Sequence, residues 1–469
     1  METINSRDMQ ILDLNCEFFG LSRLQLMENA GKAVADEISK RFKNCKVTIV
    51  AGLGNNGGDA FVTARHLRNF DVEVFLVGKR SEVRTREARI NLSILEKAGL
   101  EIKEGIPEDF GDVVVDGLLG TGIRGEPKEP IATAIDSINK SKAFVVAIDV
   151  PRGLNSDTGE YKKAVVSNLT VTFHKMKPGL LKAPEICGEI VVANIGIPEG
   201  IEKQCGVGDV SFTYKRFPEG HKGDHGRVLV VGGGEYTGAP ALASLAAYAA
   251  GADIVTTLVP ETIKNVIASF SPNMIVRGLE GEKIGLKHVE KIRKLAKLHD
   301  VVVMGMGVGE NEEFEAVVLE VIKSCKKVVL DAQGLIKEVP DGVECIMTPH
   351  KGEFRRVFGD SDVKTAAKRA KSVILLKGRE DFVTDGERLK VNRSGNAGMT
   401  VGGTGDVLAG VCAAFFCNDD AFHAACAAAF LNGFAGDLCF EKYGYNYTAT
   451  QLIEEIPIAI KKCLDFGKG

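Results

Sequence analysis

The sequence lacks three features that would place it in a special class of proteins. It has no Cys-x-x-Cys pair, no run of lysine and arginine, and no apolar stretch as long as a membrane span. Without paired cysteines, a zinc site or a disulfide framework is not expected, so the 11 cysteines are predicted to be reduced and mostly buried. A net charge of −4 gives no general attraction to nucleic acid or to an acidic membrane. The first ten residues lack the apolar core of a signal peptide. We therefore expect a cytoplasmic protein with neither nucleic acid nor membrane as a partner.

The length and composition predict a soluble protein with more than one domain. At 469 residues the chain exceeds one ordinary core, and about two to four domains are expected. Its 45% apolar and 26% charged residues are typical of a globular protein. A short polar segment that contains Pro218 separates two blocks of the sequence. We place the first domain at 1–212, a linker at 213–220 and the second domain at 221–469.

Short β-branched runs alternate with helical patterns in both blocks, which predicts α/β domains with parallel strands and crossover helices. In the second block, Asp385-Gly386 between two strand-like runs predicts a hairpin with a type I′ turn. The strands expected in the first block are 47–50, 72–77, 113–115, 145–148, 169–173 and 190–195. Those expected in the second block are 228–231, 254–258, 301–304, 328–330, 345–348 and 373–376.

The most informative motif is AGLGNNGGDA at 51–60, which reads as a strand end, a glycine-rich turn and a helix start. Glycine lets the backbone approach a ligand closely, and N–H groups at a helix start favour an anion such as a phosphate. Asn55, Asn56 and Asp59 add amide donors and oxygen acceptors. An ordinary βα connection is the alternative. Two adjacent asparagines and an aspartate within the glycines are hard to explain by turn chemistry alone.

Three further loops of the first block follow predicted strands. Asp116 begins the loop DGLLGTG, Asp149 begins DVPRG, and His174-Lys175 follows the strand 169–173. Open parallel sheets bind ligands at the carboxyl ends of their strands, where carboxylates can coordinate a cation or act as acid and base. Each aspartate can instead cap a turn or helix. Their occurrence in successive loops favours a functional site.

Four segments of the first block resemble the NAD(P)H-hydrate epimerase family: AGLGNNGGDA, DGLLGTGIRGE, AIDVPRGLNSDTG and TFHKMKPGL. The resemblance covers about residues 1–212 and implies a Rossmann-like three-layer sandwich. It also implies a potassium ion bound by Asn56 and Asp116, and it makes Asp149 the best acid/base candidate because that residue would contact the hydrated ring. The residues implied to bind the hydrated dinucleotide are Asn55, Asn56, Gly57, Gly58, Asp59, Gly120, Thr121, Gly122, Ile123, Arg124, Gly125, Glu126 and Asp149.

One position of the implied potassium site departs from the family. The family usually has serine in the D-x-P-S-G turn, where it contributes to the ion site, and this chain has Arg152. A guanidinium is charged at all relevant pH values. If the side chain points inward, it would repel potassium or replace it. If it points outward, only its backbone carbonyl would serve the ion. The sequence leaves these alternatives open.

The strongest motif of the second block is GGTGD at 402–406, followed by the apolar helical segment 407–416. Glycine N–H groups at this helix start would bind a transferring phosphoryl group, and Asp406 is a candidate base toward the attacking hydroxyl. A helix cap is the alternative role for Asp406, although the preceding Gly-Gly-Thr-Gly favours an anion site.

Lys377 and His350 follow two other predicted strands and fit a nucleotide site. A lone histidine such as His350 is more often structural.

The second block resembles the ribokinase-like fold and, within it, the ADP-dependent NAD(P)H-hydrate dehydratase family. The resemblance covers about residues 221–469 and is carried by HKGDHGRVLVVGGGEYTGAPALAS, MGMGVG, TPHKGEF, LKGRED and GGTGD. It implies contacts to the hydrated dinucleotide from Ala239, Gly307, His350 and Asp406. It implies that ADP or AMP is bound by Lys377, Gly378, Arg379, Glu380, Asp381 and Gly405. It also implies Mg²⁺, but Gln333 stands where the family usually has a second aspartate, so one charge for the metal is missing.

Together the two resemblances predict an isomerase joined to a lyase in one multifunctional metabolite-repair enzyme. The substrate would be NADH or NADPH that has gained water at the carbon next to the ring nitrogen. The first block would interconvert the epimers, and the second would phosphorylate the hydroxyl from ADP so that phosphate leaves, giving AMP and phosphate. We also expect a homo-oligomer. The alternative is a ribokinase-like small-molecule kinase fused to a non-catalytic Rossmann-like binding module.

Overall fold

A computed structural model describes residues 2–118 and 126–467 of the chain. The chain divides into two compact units, Met1–Glu202 and Lys203–Gly469, which are called here the first and second unit. This division lies before residue 212, where the sequence places the end of the first domain. The segment after Lys203 is bound to the second unit, since the Cys205 N–H donates to the carbonyl of Val391 at 2.9 Å.

The first unit is built on a parallel sheet. Its strands are β1 Lys46–Ala51, β2 Asp71–Leu76, β3 Ile102–Glu104, β4 Val113–Gly117, β5 Phe144–Ile148, β6 Leu169–Phe173 and β7 Glu189–Ala193. Its helices are α1 Ser6–Phe18, α2 Arg23–Arg41, α3 Asn55–His66, α4 Arg86–Lys97, α5 Ile131–Lys140, α6 Pro178–Lys182, α7 Pro184–Cys187 and α8 Glu199–Glu202. Within residues 2–118 and 126–202, the order of the seven strands is β3-β2-β1-β4-β5-β6-β7. The order reverses between β1 and β4, the point at which such sheets bind ligands.

Helices cover both faces of the first sheet because its central strands are apolar on both sides. Val47 and Ile49 of β1 belong to one buried cluster with Phe61 of α3. Val50 of the same strand belongs to a second cluster with Ile135 of α5. Alternate residues of one strand thus pack on different helical layers, and the predicted three-layer sandwich is confirmed.

The second unit is built on a larger, mixed sheet. Its strands are β8 Arg227–Val231, β9 Ile254–Pro260, β10 Ile275–Leu279, β11 Val301–Met304, β12 Lys327–Leu330, β13 Glu344–Met347, β14 Val373–Leu376, β15 Asp381–Thr384 and β16 Leu389–Asn392. Its helices are α9 Val207–Thr213, α10 Gly238–Ala249, α11 Glu261–Ala268, α12 Val289–Ala296, α13 Phe314–Ile322, α14 Lys351–Phe358, α15 Val363–Ala370, α16 Thr404–Phe416, α17 Ala421–Tyr443 and α18 Ala449–Phe466. The strand order is β10-β9-β8-β11-β12-β13-β14-β15-β16, and it reverses between β8 and β11. Strand β15 is antiparallel to both of its neighbours, β14 and β16.

The hairpin formed by β15 and β16 is present, but the predicted type I′ turn is wrong. Thr384 pairs with Leu389, so residues 385–388 form a longer loop than the two-residue turn expected. The Asp385 carboxylate accepts the N–H groups of Glu387 at 2.9 Å and Arg388 at 2.7 Å. This side chain satisfies the backbone of the longer loop and makes the tighter turn unnecessary.

Two expectations drawn from missing features are tested by the structure. All 11 cysteines are free, as the absence of paired motifs predicts. Across 2–118 and 126–467, the helices are too short or too polar for any of them to cross a membrane.

Candidate active sites

The NNGGD motif forms the first turn of α3, directly after β1. The carbonyl of Gly54 accepts the Gly58 N–H at 3.1 Å, so Gly54 is the N-cap. The predicted order of strand end, glycine-rich turn and helix start over 51–60 is present, with the helix beginning at Asn55. A Cβ on Gly57 would lie 2.0 Å from the Gly52 carbonyl oxygen, so this glycine lets the helix start pack directly on the strand end.

Two side chains of the motif are buried beside the end of β5. The Asn56 Nδ2 donates to the Ile148 carbonyl at 3.0 Å. Asp59 is 7% exposed. Burial, together with the negative charges of Asp149 and Asp13, raises the pKa of Asp59 well above its usual range. Burial and the two neighbouring negative charges therefore disfavour the charged form of Asp59.

Asp116 joins the loop after β4 to the turn after β5. It is 2% exposed, and its Oδ1 accepts the Leu118 N–H at 3.2 Å while its Oδ2 accepts the Arg152 N–H at 2.8 Å. Burial raises its pKa to about 6, whereas the two N–H groups and the Arg152 guanidinium oppose that shift. Both carboxylate oxygens are therefore already hydrogen-bonded by the protein.

Arg152 points into the protein. The residue is only 5% exposed, and its buried Nε has no hydrogen-bond partner among the described residues. Its backbone carbonyl accepts the Val165 N–H at 2.8 Å. Burial lowers the pKa of the guanidinium, and the charge of Asp116 opposes this shift. The outward orientation left open by the sequence is thus excluded.

Asp149 is paired with a buried lysine that the sequence analysis does not single out. Lys177 is 1% exposed, and its Nζ lies 2.8 Å from the Asp149 Oδ1. The same oxygen accepts the Thr172 hydroxyl at 2.9 Å and the Phe173 N–H at 3.2 Å. Asp149 has a φ of 63°, in the left-handed region that few non-glycine residues adopt. These contacts hold a strained residue with its side chain fixed.

Other predicted residues of the first block lie elsewhere or outside the described chain. The His174 Nε2 faces Glu202 at 3.3 Å, and Lys175 forms ion pairs with Glu202 and Glu2. Glu126 is exposed and pairs with Lys162 at 2.9 Å. The residues that lie outside the described ranges are Gly120, Thr121, Gly122, Ile123, Arg124 and Gly125.

In the second unit, the loops after β8 and β11 meet where the strand order reverses. Gly307 has a φ of 71°, and a Cβ there would lie 2.6 Å from the Tyr236 carbonyl oxygen and 3.0 Å from the Ala239 Cβ. The Tyr236 N–H donates to the Gly307 carbonyl at 3.1 Å. The structure thus places Ala239 next to Gly307, and this close approach requires glycine.

Strands β12, β13 and β14 lead to three polar residues that contact one another. Asp331 is 4% exposed, and its Oδ1 accepts the Thr348 hydroxyl at 2.7 Å and the Lys377 Nζ at 2.9 Å. Burial would lower the pKa of Lys377, but the Asp331 carboxylate outweighs burial and raises it above its usual value. The lysine is therefore held charged and in place.

Asp406 and Lys377 meet at the start of α16. A Cβ on Gly405 would lie 3.1 Å from the Lys377 Nζ, so the ammonium lies beside the first turn of this helix. Burial raises the pKa of Asp406 to about 7, the charges of Asp331 and Glu353 add to the shift, and Lys377 opposes it. A carboxyl that titrates near neutrality is well matched to proton transfer at physiological pH.

His350 caps α14. Its Nδ1 accepts the N–H groups of Gly352 at 3.0 Å and Glu353 at 3.2 Å, and its side chain is 60% exposed. His350 thus has the structural role of a helix cap, and the exposed side of its ring is accessible to a ligand.

The segment 377–381 divides into an inward lysine and a turn. The Gly378 N–H donates to the Asp381 Oδ1 at 3.0 Å, and the Asp381 Oδ2 accepts from Asn392 at 3.0 Å. Burial raises the pKa of Asp381. Arg379 is exposed, and Glu380 pairs with the Arg393 Nε at 2.8 Å. Asp381 therefore shapes the turn that presents Lys377.

Both units match families of known proteins. Residues 228–458 match the family described as NAD(P)H-hydrate dehydratase, and residues 23–179 match that described as YjeF-related protein N-terminus. The bifunctional NAD(P)H-hydrate repair enzyme Nnr of Archaeoglobus fulgidus is 66% identical over 99% of this chain and 100% of its own length.

Several solved structures match the second unit, and two of them illustrate its fold. The crystal structure of ADP/ATP-dependent NAD(P)H-hydrate dehydratase from Bacillus subtilis, co-crystallised with ATP/Mg²⁺, covers 55% of this chain and 98% of its own, with a TM-score of 0.50 and 26% identity. A ribokinase-like superfamily protein from Enterococcus faecalis covers 56% of this chain and 96% of its own, with a TM-score of 0.50 and 21% identity. The predicted ribokinase-like fold of the second unit is thus confirmed.

Proposed function

Because this chain belongs to the family of bifunctional NAD(P)H-hydrate repair enzymes, we propose that it restores hydrated NADH and NADPH in two reactions. The first unit is the epimerase, and the second is the nucleotide-dependent dehydratase. The observation that carries this proposal is the 66% identity to a relative named for the repair activity, over its entire length. Each unit also has its own buried polar cluster at the carboxyl ends of its parallel strands, which supports two separate reactions.

In the first unit, we assign Asp149 as the acid and base that acts on the hydrated ring. The donors from the described residues converge on its Oδ1, namely Lys177, Thr172 and the Phe173 N–H. We therefore assign Oδ2 to the substrate. Epimerisation would proceed by protonation of the ring hydroxyl, loss of water as the nitrogen lone pair forms a C=N bond, and re-addition of water from the opposite face as Asp149 takes the proton back.

The dinucleotide would be held by the helix start that carries Asn55–Asp59 and by the loop 120–126. Support for the first comes from the position of α3, whose N-terminal N–H groups lie at the strand reversal between β1 and β4. Asp59 is buried in the first turns of this helix and would help to hold the dinucleotide.

In the second unit, we assign Asp406 as the base that takes the proton of the ring hydroxyl. Its pKa of about 7 allows it to act near neutrality. Lys377, fixed by Asp331, lies at the start of α16 and would stabilise the transferring phosphoryl group together with the helix N–H groups. Ala239, Gly307 and His350 would contact the hydrated nicotinamide.

The dehydration balances without an oxidant or a reductant. The hydroxyl oxygen attacks the terminal phosphorus of ADP, and the bond from that phosphorus to AMP breaks. The ring nitrogen lone pair then expels phosphate and forms a C=N bond. Loss of a proton from the neighbouring ring carbon restores the dihydropyridine. A product that expels its own phosphate explains how a kinase-like site supports a lyase reaction.

The nucleotide would be held by the turn 378–381 and by Gly405, with Mg²⁺ as its counter-ion. Within the described ranges, the acidic side chains around Lys377 do not form a three-ligand metal group of their own. This donor set fits Mg²⁺ that arrives with the nucleotide, since Mg²⁺ takes one or two carboxylates and fills its other positions with phosphates and water. Asp331 is the carboxylate we assign to it, and the bound ion would neutralise phosphate charge.

The experiment that tests this function uses the full chain and resolved epimers of hydrated NADH. With ADP, both epimers should regain the near-ultraviolet absorbance of the dihydronicotinamide, with release of AMP and phosphate. Without a nucleotide, only the epimer ratio should change. A stable phosphorylated product with no recovery of absorbance would instead indicate a small-molecule kinase. Parallel assays with ATP would establish which nucleotide is used.

We also propose that the protein acts in the cytoplasm as a homo-oligomer. The 11 free cysteines support a reducing compartment. Light scattering of the purified chain tests the oligomer, and fractionation of the source cells tests the location.

A further inference from the structure

The family's potassium site does not fit the residues present in this chain. The resemblance implies oxygen ligands for the ion from Asn56, Asp116 and position 152. Both Asp116 oxygens already accept backbone N–H groups, at 3.2 and 2.8 Å. The carbonyl of Arg152 accepts the Val165 N–H at 2.8 Å. Each of these oxygens keeps a second lone pair, so the hydrogen bonds leave room for an ion, and the departure from the family's site lies in the side chain at position 152.

The chain itself supplies a positive charge near Asp116, the guanidinium of Arg152. Arg152 is only 5% exposed, and its guanidinium interacts electrostatically with the Asp116 carboxylate. Among residues 2–118 and 126–467, no group forms a hydrogen bond with its buried Nε. A second cation beside a buried guanidinium would meet like-charge repulsion in a medium of low dielectric constant. One positive charge is enough to balance Asp116.

We propose that the Arg152 guanidinium takes the place of the potassium ion, so that the epimerase of this chain works without a monovalent cation. The inference rests on the epimerase activity proposed for the first unit. It predicts that the Asp116–Arg152 pair holds the loop after β4 against the turn after β5, which is the turn that begins with Asp149.

The first test compares salts at equal ionic strength. We expect the wild-type chain to epimerise hydrated NADH at rates within about twofold in potassium chloride and in tetramethylammonium chloride. Arg152→Ser should lose about tenfold or more in tetramethylammonium and recover in potassium, because Asp116 is then left without a counter-ion. Arg152→Lys keeps the charge and should need no potassium. The matched control is Arg68→Ser, which removes an exposed arginine of the same unit and should respond to neither salt.

The second test does not depend on activity. Potassium should raise the thermal unfolding midpoint of Arg152→Ser and leave that of the wild type unchanged, since a ligand stabilises only a state that binds it. Crystals of the wild type soaked in thallous ion, an anomalous scatterer that mimics potassium, should show no peak beside Asp116.

Each outcome decides the proposal. A wild type that needs potassium, or a thallous ion bound beside Asp116 in the wild type, would overturn it. If Arg152→Ser does not fold, the wild-type salt comparison, Arg152→Lys and the thallous soak still decide. If the wild type epimerises in neither salt, the proposed epimerase activity fails, and the thallous soak and the unfolding midpoints still report on the cation.

Discussion

The Lys377 Nζ lies 2.9 Å from the Asp331 Oδ1, and this pair joins the ends of β14 and β12. A Cβ on Gly405 would lie 3.1 Å from the same nitrogen, so the pair also fixes the ammonium against the start of α16. Thr348, from the end of β13, donates to the same carboxylate oxygen at 2.7 Å. Three strand ends and one helix start thus position a single positive charge next to Asp406.

Removal of Asp331 should therefore affect both stability and dehydration. Asp331→Asn leaves the buried Lys377 without its counter-ion, and we expect the free energy of unfolding of the second unit to fall by about 3 kcal/mol. Dehydration should fall as well, whereas epimerisation should be unchanged. Denaturant unfolding and the two rates measure these effects. The control is Asp341→Asn, which breaks the exposed pair of Asp341 with Lys371 and should change neither stability nor rate. Equal stability of the two variants would contradict this account.

The pH dependence of dehydration should report Asp406. Its pKa of about 7 is raised from the usual value, so the base form is lost as the pH falls through 7. We expect kcat/KM for dehydration to fall about tenfold per pH unit below that point. Glu353→Gln removes a negative charge that raises this pKa but can still form the helix cap at His350, so it should move the profile to lower pH. A flat profile, or no displacement in Glu353→Gln, would remove Asp406 from the role of base.

Lys177 should matter for epimerisation alone. Lys177→Met removes the ammonium that binds the Asp149 Oδ1 at 2.8 Å, and we expect the epimerisation rate to fall about 100-fold because the carboxylate is no longer held in place. Dehydration of the accepted epimer should keep its wild-type rate. Lys175→Met is the control, since Lys175 belongs to the same segment but pairs with Glu202 and Glu2. A Lys175→Met variant as impaired as Lys177→Met would show that the segment, rather than the pair, is required.

Gly307 should tolerate no side chain. Gly307→Ala would place a Cβ 2.6 Å from the Tyr236 carbonyl oxygen and force a residue with a φ of 71° out of its preferred region. We expect a loss of about 3 kcal/mol in the stability of the second unit, and weaker binding of the hydrated dinucleotide. Gly342→Ala is the control, since Gly342 of the same unit has a φ of 84° but open space around a Cβ. That variant should cost only about 1 kcal/mol, from backbone strain. Equal losses in unfolding experiments would show that strain alone is responsible.

Central strands are well predicted from the sequence because they are buried on both faces. The run 169–173 predicts β6 with the bounds that the structure gives. Strands β3 and β10 are not predicted, since they lie at the sheet edges and carry exposed polar residues instead of an apolar run. The sequence pattern places the helical segment near 59–68, whereas α3 begins at Asn55, because asparagine and glycine favour turns in isolation but Asn56 and Gly57 are buried here.

Site residues are predicted where a motif carries them and missed where a partner lies far along the chain. Asp149 is predicted from the loop that follows a strand, and Asp406 from the glycine-rich segment at the start of a helix. Lys177 is missed because lysines are mostly exposed, and nothing in its spacing reveals that it is 1% exposed and paired with Asp149. The orientation of Arg152 is likewise undecided by sequence, since it depends on the burial of the turn after β5.

The most direct test of the central claim follows pure epimers of hydrated NADH in the presence of ADP with two variants of the full chain. Asp149→Asn should restore the dihydronicotinamide absorbance from the epimer that the dehydratase accepts, but not from the other. Asp406→Asn should restore it from neither and still interconvert them. Recovery from both epimers by Asp149→Asn, or from either by Asp406→Asn, at the wild-type rate would contradict the division of the two reactions between the two units.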